Sequence, residues 1–204
     1  MSKKSNHSKY DELILDLVYR FKTIQKQHLF CLLKACKRNS KIDERLQILC
    51  GKNLIYKCFF KLDKCKNLAY YCKNKTESNK PYWMPKQNRH QIIVEQIAFY
   101  KEFRGSKVKC EDYIENSKVR FDLMSTEPDG SIIYYEIELS KKNKWEIREK
   151  LNEYGLVGKL QSLKLVFGNK NLLENLIKNA GDFYNQLVYE PSLLEEYQLE
   201  YISV

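Results

Sequence analysis

Glycine and proline are scarce, at 7 and 4 of 204 residues. That scarcity excludes collagen-like and low-complexity architectures, which need one or both in quantity. Long apolar runs are also missing, and nothing approaches the ~20 residues of a membrane span. The opening segment, MSKKSNHS, is basic and polar with no apolar stretch behind it. No secretory signal is therefore expected, and the expectation is a soluble, cytoplasmic protein with no membrane partner. There is no Cys-x-x-Cys pair, no glycine-rich phosphate loop and no internal repeat. These absences speak against the common zinc modules, phosphate-loop sites and solenoids.

What is present suffices for a core. Hydrophobic residues make up 43% and aromatics 13%, so wholesale disorder is excluded. The length suits one large domain or two small ones. Seven cysteines stand at positions 31, 36, 50, 58, 65, 72 and 110. An odd count without a signal segment speaks against a disulfide framework. Cys58, Cys65 and Cys72 recur every seven residues, the one spacing that invites a zinc site. A hairpin in this region puts Cys65 at its tip, away from the other two, so buried reduced thiols are expected instead.

Charge is unevenly distributed. From Met1 to Lys86 there are 20 Lys and Arg against 7 Asp and Glu, a net of +13; from Gln87 onward 16 face 19, a net of −3. A lysine-rich genome would raise the basic count everywhere but would not partition it. A basic first part points to a polyanion, duplex DNA above all.

The first part has the pattern of three short helices and a hairpin. Tyr10 to Phe21 is amphipathic, with Leu13, Ile14, Leu17, Val18 and Phe21 as its apolar positions. Thr23 is placed to cap a second helix, and Ser40 a third, which Gly51 would end. Leu54–Leu62 and Leu68–Cys72 read as strands around the polar turn 63–67. Together these predict a winged helix-turn-helix over residues 1–73. There, Lys41 and Arg45 lie on the outer side of the third helix, Lys61, Lys64 and Lys66 line the wing, and Lys37 and Arg38 occupy the approach. Lysines promise phosphate contacts, while Arg45 has the geometry for bidentate reading of guanine. The polar stretch 74–88, with two of the four prolines, reads as a linker.

Residues 89–204 predict an α/β domain in the order α-β-β-β-α-β, giving an α+β chain overall. Its third strand, Ser131–Leu139, carries Glu136 and Glu138 on one face by strand alternation. The turn Glu127-Pro128-Asp129-Gly130 folds the second strand back so that Asp122 falls near Glu136. Clustered carboxylates on a half-buried sheet need a cation, a basic neighbour or protonation; Mg²⁺ is the usual cation, and solvated acids on an outer face are the plain alternative.

That strand order, with Asp122 followed by Glu136-Ile137-Glu138, resembles the PD-(D/E)xK restriction-endonuclease-like fold. The resemblance implies Asp122, Glu136 and Glu138 as catalytic residues, with Mg²⁺ held by Asp122, Glu136 and, from the preceding helix, Glu95. Glu138 stands where that motif carries lysine, as in some metal-dependent members of the fold, and Lys141 and Lys150 are the candidates to substitute in space. The chain from about Tyr10 to Phe167 also resembles the plasmid replication-relaxation family, which pairs a winged helix with a degenerate nuclease-like domain. The matching pieces are His90, Arg120-Phe121-Asp122, Glu136-Ile137-Glu138 and Lys150-x-x-x-Tyr154. This second resemblance implies a DNA-binding accessory protein of a mobile element, with a relaxase or replication protein as partner and a homodimer open. An Mg²⁺-dependent endonuclease and a protein-interaction adaptor are the alternatives.

Overall fold

The computed structural model describes residues 9–34, 40–61, 67–73, 82–83, 86–187 and 191–194. They form a mixed α+β architecture of six α-helices and two sheets. Two compact units meet between Glu95 and Gln96. Among the described residues, no helix is long and apolar enough to cross a membrane.

The first unit runs α1 (Lys9–Phe21), β1 (Thr23–Gln25), α2 (Lys26–Leu32), α3 (Ser40–Gly51), β2 (Tyr56–Lys61), β3 (Asn67–Cys72), β4 (Tyr82–Trp83) and the start of α4 (Lys86–Phe103). Its sheet has the order β1-β3-β2-β4. β3 pairs antiparallel with β1 and β2, and β4 pairs parallel with β2. Helix periodicity buries Ile14, Leu17, Val18 and Phe21 of α1 with Leu29 of α2 and Ile42, Leu46 and Leu49 of α3. Leu13 departs from expectation and is 43% exposed.

Thr23 is not a helix cap. Lys22 turns the chain with a positive φ of 60°, and β-branched Thr23 and Ile24 then extend into β1 against Cys72 and Tyr71. Gly51 does not end α3 in the left-handed turn. Asn53 does, at φ 57°, with its N–H bonded to the Cys50 carbonyl and the Leu54 N–H to the Leu49 carbonyl. Asn is the non-glycine residue best suited to that position. The first unit runs past the expected linker 74–88 into the start of the expected second domain, where Ile92 of α4 packs against Cys58, Tyr70 and Cys72.

The second unit holds the rest of α4, then β5 (Lys107–Tyr113), β6 (Arg120–Thr126), β7 (Ile132–Glu138), α5 (Lys144–Leu156), β8 (Leu163–Phe167), α6 (Lys170–Ala180) and β9 (Ser192–Leu193). The sheet order is β5-β6-β7-β8-β9. β5, β6 and β7 form an antiparallel meander; β8 lies parallel to β7, and β9 parallel to β8. A parallel β7–β8 pair needs a crossover, which α5 supplies. The β6–β7 turn closes as the sequence predicts. The Gly130 N–H bonds to the Glu127 carbonyl, and the Asp129 carboxylate accepts from the Ser131 N–H.

β7 is central, so Ile133 through Ile137 are buried without a break. One core cluster joins Ile147, Leu151 and Tyr154 of α5 and Leu172, Leu176 and Ala180 of α6 to Tyr134, Leu163, Leu165 and Phe167 of the sheet. Asn143 fixes the start of α5 through a capping box with Glu146.

Candidate functional site

In the second unit the acids and one base come together. The β6–β7 ladder pairs Leu123 with Tyr135, so one step further along both strands Asp122 stands beside Glu136. There the Asp122 carboxylate takes over a ladder bond: its Oδ2 accepts the Ile137 N–H at 2.8 Å. Glu136, on the central strand, is buried. Two residues of α5 reach it. The Tyr154 hydroxyl donates to Glu136 Oε1 at 2.6 Å, and Lys150 Nζ lies 2.8 Å from Oε2. Their i, i+4 spacing puts both on the sheet-facing side of the helix with Ile147 and Leu151.

Electrostatics follow from that burial. Loss of solvent, aided by the nearby Asp122 charge and opposed by Lys150 and Tyr154, pushes the Glu136 carboxyl up to about 8. Burial works against the Lys150 ammonium, but Glu136, and then Asp122 and Glu138, outweigh it and hold Lys150 above its ordinary value. Burial and Glu136 also raise the Tyr154 hydroxyl, which stays protonated as a donor. Glu138 is half-buried, with Lys142 Nζ 3.7 Å away. It shares a cavity of about 50 Å³ with Lys142, Lys150, Leu165, Phe167 and Leu176.

Of the two lysines considered for the motif position, Lys150 meets the acids and Lys141 is exposed. Glu95 belongs to the first unit. Its Oε1 accepts the Gln25 N–H at 3.1 Å and lies 2.8 Å from His28 Nδ1. Among the described residues, no three His, Cys, Asp or Glu side chains are grouped to hold a metal ion. Nor do the donors at Asp122 and Glu136 fit a divalent cation as they stand. One Asp122 oxygen serves an amide, both Glu136 oxygens are engaged, and the Lys150 ammonium already supplies positive charge there.

The first unit presents a different surface. Lys41, Glu44 and Gln47 of α3 are exposed at i, i+3 and i+6, opposite its buried Ile42, Leu46 and Leu49. Arg45 is not on that outer face. Its guanidinium grips fully buried Asp11 of α1 through Nε at 2.7 Å and through Nη2. The Asp11 partnership raises Arg45 further. This bidentate clamp ties α1 to α3. Lys26 pairs with Asp43 at 2.6 Å. Exposed Lys57 of β2 stacks over Phe59. Lys37, Arg38, Lys64 and Lys66 lie outside the described residues; Lys61 ends β2, with its side chain outside them too.

Sequence reasoning missed Asp11, an acid in the first turn of a helix where acids are ordinary. Lys150 and Tyr154 entered the sequence reading only as a piece of the family resemblance; their approach to Glu136 comes from the packing of α5. Compared with known proteins, the chain matches no family model, no curated protein and no solved structure.

Proposed function

We propose that this chain is a DNA-binding accessory or regulatory protein of a plasmid or other mobile element, acting in replication or mobilisation. Its first unit, read as a winged helix-turn-helix, docks on duplex DNA through α3 and the β2–β3 hairpin. The observation carrying this reading is the order helix-strand-helix-helix-strand-strand, with β1 closing on β3 beside β2. Lys41 and Gln47 face outward on α3, which supports reading α3 as a groove-entering helix. The +13 net charge of residues 1–86 supports a polyanionic partner. The mobile-element setting, and a relaxase or replication protein as partner, rest on the family resemblance of the sequence.

The second unit is read as a restriction-endonuclease-like domain without nuclease activity. Its meander followed by a crossover to a parallel strand agrees with that architecture. Lys150 beside Glu136 favours the competing reading, an Mg²⁺-dependent endonuclease. The engaged carboxylate oxygens favour a structural charge cluster instead.

Titrating labelled duplex DNA with the full chain tests the proposal. Affinity should fall steeply with salt as counterions are released, by a slope of about −0.9 per phosphate contact. Lys41→Glu should weaken binding to all sequences alike. Gln47→Ala should narrow the gap between preferred and other sites by about 1–3 kcal/mol if it reads a base edge. Absence of binding at low salt would overturn the reading. Mg²⁺-dependent nicking that disappears in Asp122→Ala would put the enzyme first.

A further inference from the structure

The packed cysteines of the first unit carry an inference independent of DNA binding. Cys58 of β2 and Cys72 of β3 sit two residues out of direct register, since Cys58 pairs with Tyr70 and Tyr56 with Cys72. Their sulfurs are nevertheless 2.7 Å apart, not far beyond the ~2.0 Å of a bonded pair. Both are free thiols and both are buried, with Tyr70 and Ile92 in the same cluster.

We propose that Cys58 and Cys72 form a reversible redox pair, closing to a disulfide across the β2–β3 hairpin when the protein meets a hydroperoxide. Their surroundings are asymmetric. Cys72 Sγ accepts from the Thr23 hydroxyl at 3.7 Å and faces Cys58, while Cys58 Sγ also points to the Tyr70 carbonyl at 3.7 Å. Cys72 is thus the better-stabilised sulfur anion, and Cys58 keeps its proton. Titration agrees. The hydrogen bond from Cys58, helped by Thr23 and opposed by burial, lowers Cys72. The same hydrogen bond, with burial, raises Cys58.

The chemistry balances in two steps. Cys72 gives its proton to water, and the thiolate attacks the terminal peroxide oxygen. The O–O bond breaks, and the expelled alkoxide takes a proton back from water and leaves as alcohol, with Cys72 as sulfenic acid. The Cys58 sulfur then attacks Cys72, its proton leaves with the sulfenic hydroxyl as water, and the S–S bond forms. Two thiols have lost two electrons, and the hydroperoxide has gained them. A small thiol in excess reverses the change. In a reducing compartment such a bond is transient, present only while oxidant is. Cys72 is the last residue of β3, opposite Thr23 and Tyr56, the first residues of β1 and β2, so a small oxidant reaches it by fraying of the strand ends.

The test uses the reduced full chain treated with hydrogen peroxide at a few equivalents, alkylated under denaturing conditions and mapped by mass spectrometry. The expected result is a Cys58–Cys72 cross-linked peptide lighter by two hydrogens, two fewer alkylated thiols, and recovery of both with dithiothreitol. Cys58→Ser should leave a sulfenic acid on Cys72 that dimedone traps, and Cys72→Ser should give no intramolecular disulfide. The wild-type map needs no variant to fold. Alkylation of both Cys58 and Cys72 after oxidant has modified exposed Cys31, or pairing of either with another cysteine, would overturn the proposal. So would zinc co-purifying with the chain and lost when either cysteine is replaced.

Discussion

Replacing Glu136 with glutamine separates what its carboxyl contributes from what its charge costs. The folded protein holds this carboxyl at about 8 against an ordinary 4.5. A group raised on folding favours the native state while protonated, so its contribution is complete below about 4.5 and is lost as pH climbs through 8. At ~1.4 kcal/mol per pH step, the interval amounts to about 5 kcal/mol. Lys150, whose side chain is 35% exposed, lets water reach part of the pair, and about 3–5 kcal/mol is the better expectation. The glutamine variant keeps the shape and an oxygen for its partners, yet never ionises.

Urea unfolding of wild type and Glu136→Gln from pH 5 to 9 measures the difference. The two should be within about 1 kcal/mol at pH 5. The variant should gain steadily on wild type through pH 8. Lys150→Met should carry the wild-type fall to still higher pH, since it removes the cation that opposes burial. A difference flat with pH, or one in which wild type gains as pH rises, would refute the argument and make Glu136 an ordinary ion-paired carboxylate.

Two further outcomes follow from geometry. Arg45→Ala should lower the thermal midpoint of the first unit by removing the guanidinium from buried Asp11. DNA binding should fall only in step with unfolding, and Arg45→Lys should not restore the midpoint, because an ammonium cannot reproduce the two-pronged contact; circular dichroism melts beside binding titrations below the midpoint check this. Gly181→Ala should cost about 1–2 kcal/mol in urea unfolding. Gly181 holds φ at +61°, and a Cβ there would sit 2.8 Å from Arg148 Nη2, displacing an arginine that donates to the Asn179 carbonyl.

Much of the fold is legible because period and punctuation agree. The β6–β7 hairpin had a strong turn between β-prone runs, and α4 begins three residues before the expected domain start at 89. The misses are local decisions settled from elsewhere in the chain. Thr23 is as good a cap as a strand residue, and only β3 alongside it selects the strand. Gly51 and Asn53 both suit a helix end, and the chain used the later one. β9 is two residues long, too short to carry a period.

The site divides the same way. Glu136 and Glu138 on one face, with Asp122 opposite, follow from alternation and one turn, so a carboxylate cluster was readable. What neutralises it was not, because α5 follows β7 and its rotation depends on Ile147, Leu151 and Tyr154 finding the core. That rotation brings Lys150 to Glu136, and a lysine in place changes the chemistry. Two acids alone invite a divalent ion; with an ammonium at 2.8 Å and a phenol at 2.6 Å, the inner acid has its partners already. Arg45 shows the converse. It lies one residue before Leu46, at the edge of the buried side of α3, where sequence cannot tell a DNA-reading arginine from one turned inward. Burial of Asp11 decides it, since a carboxylate with no exposure needs a charged partner and Arg45 is the one clamped upon it. The pattern of exposed charges on a helix is thus a weaker guide to a DNA-reading face than an inventory of which buried acids still need a base.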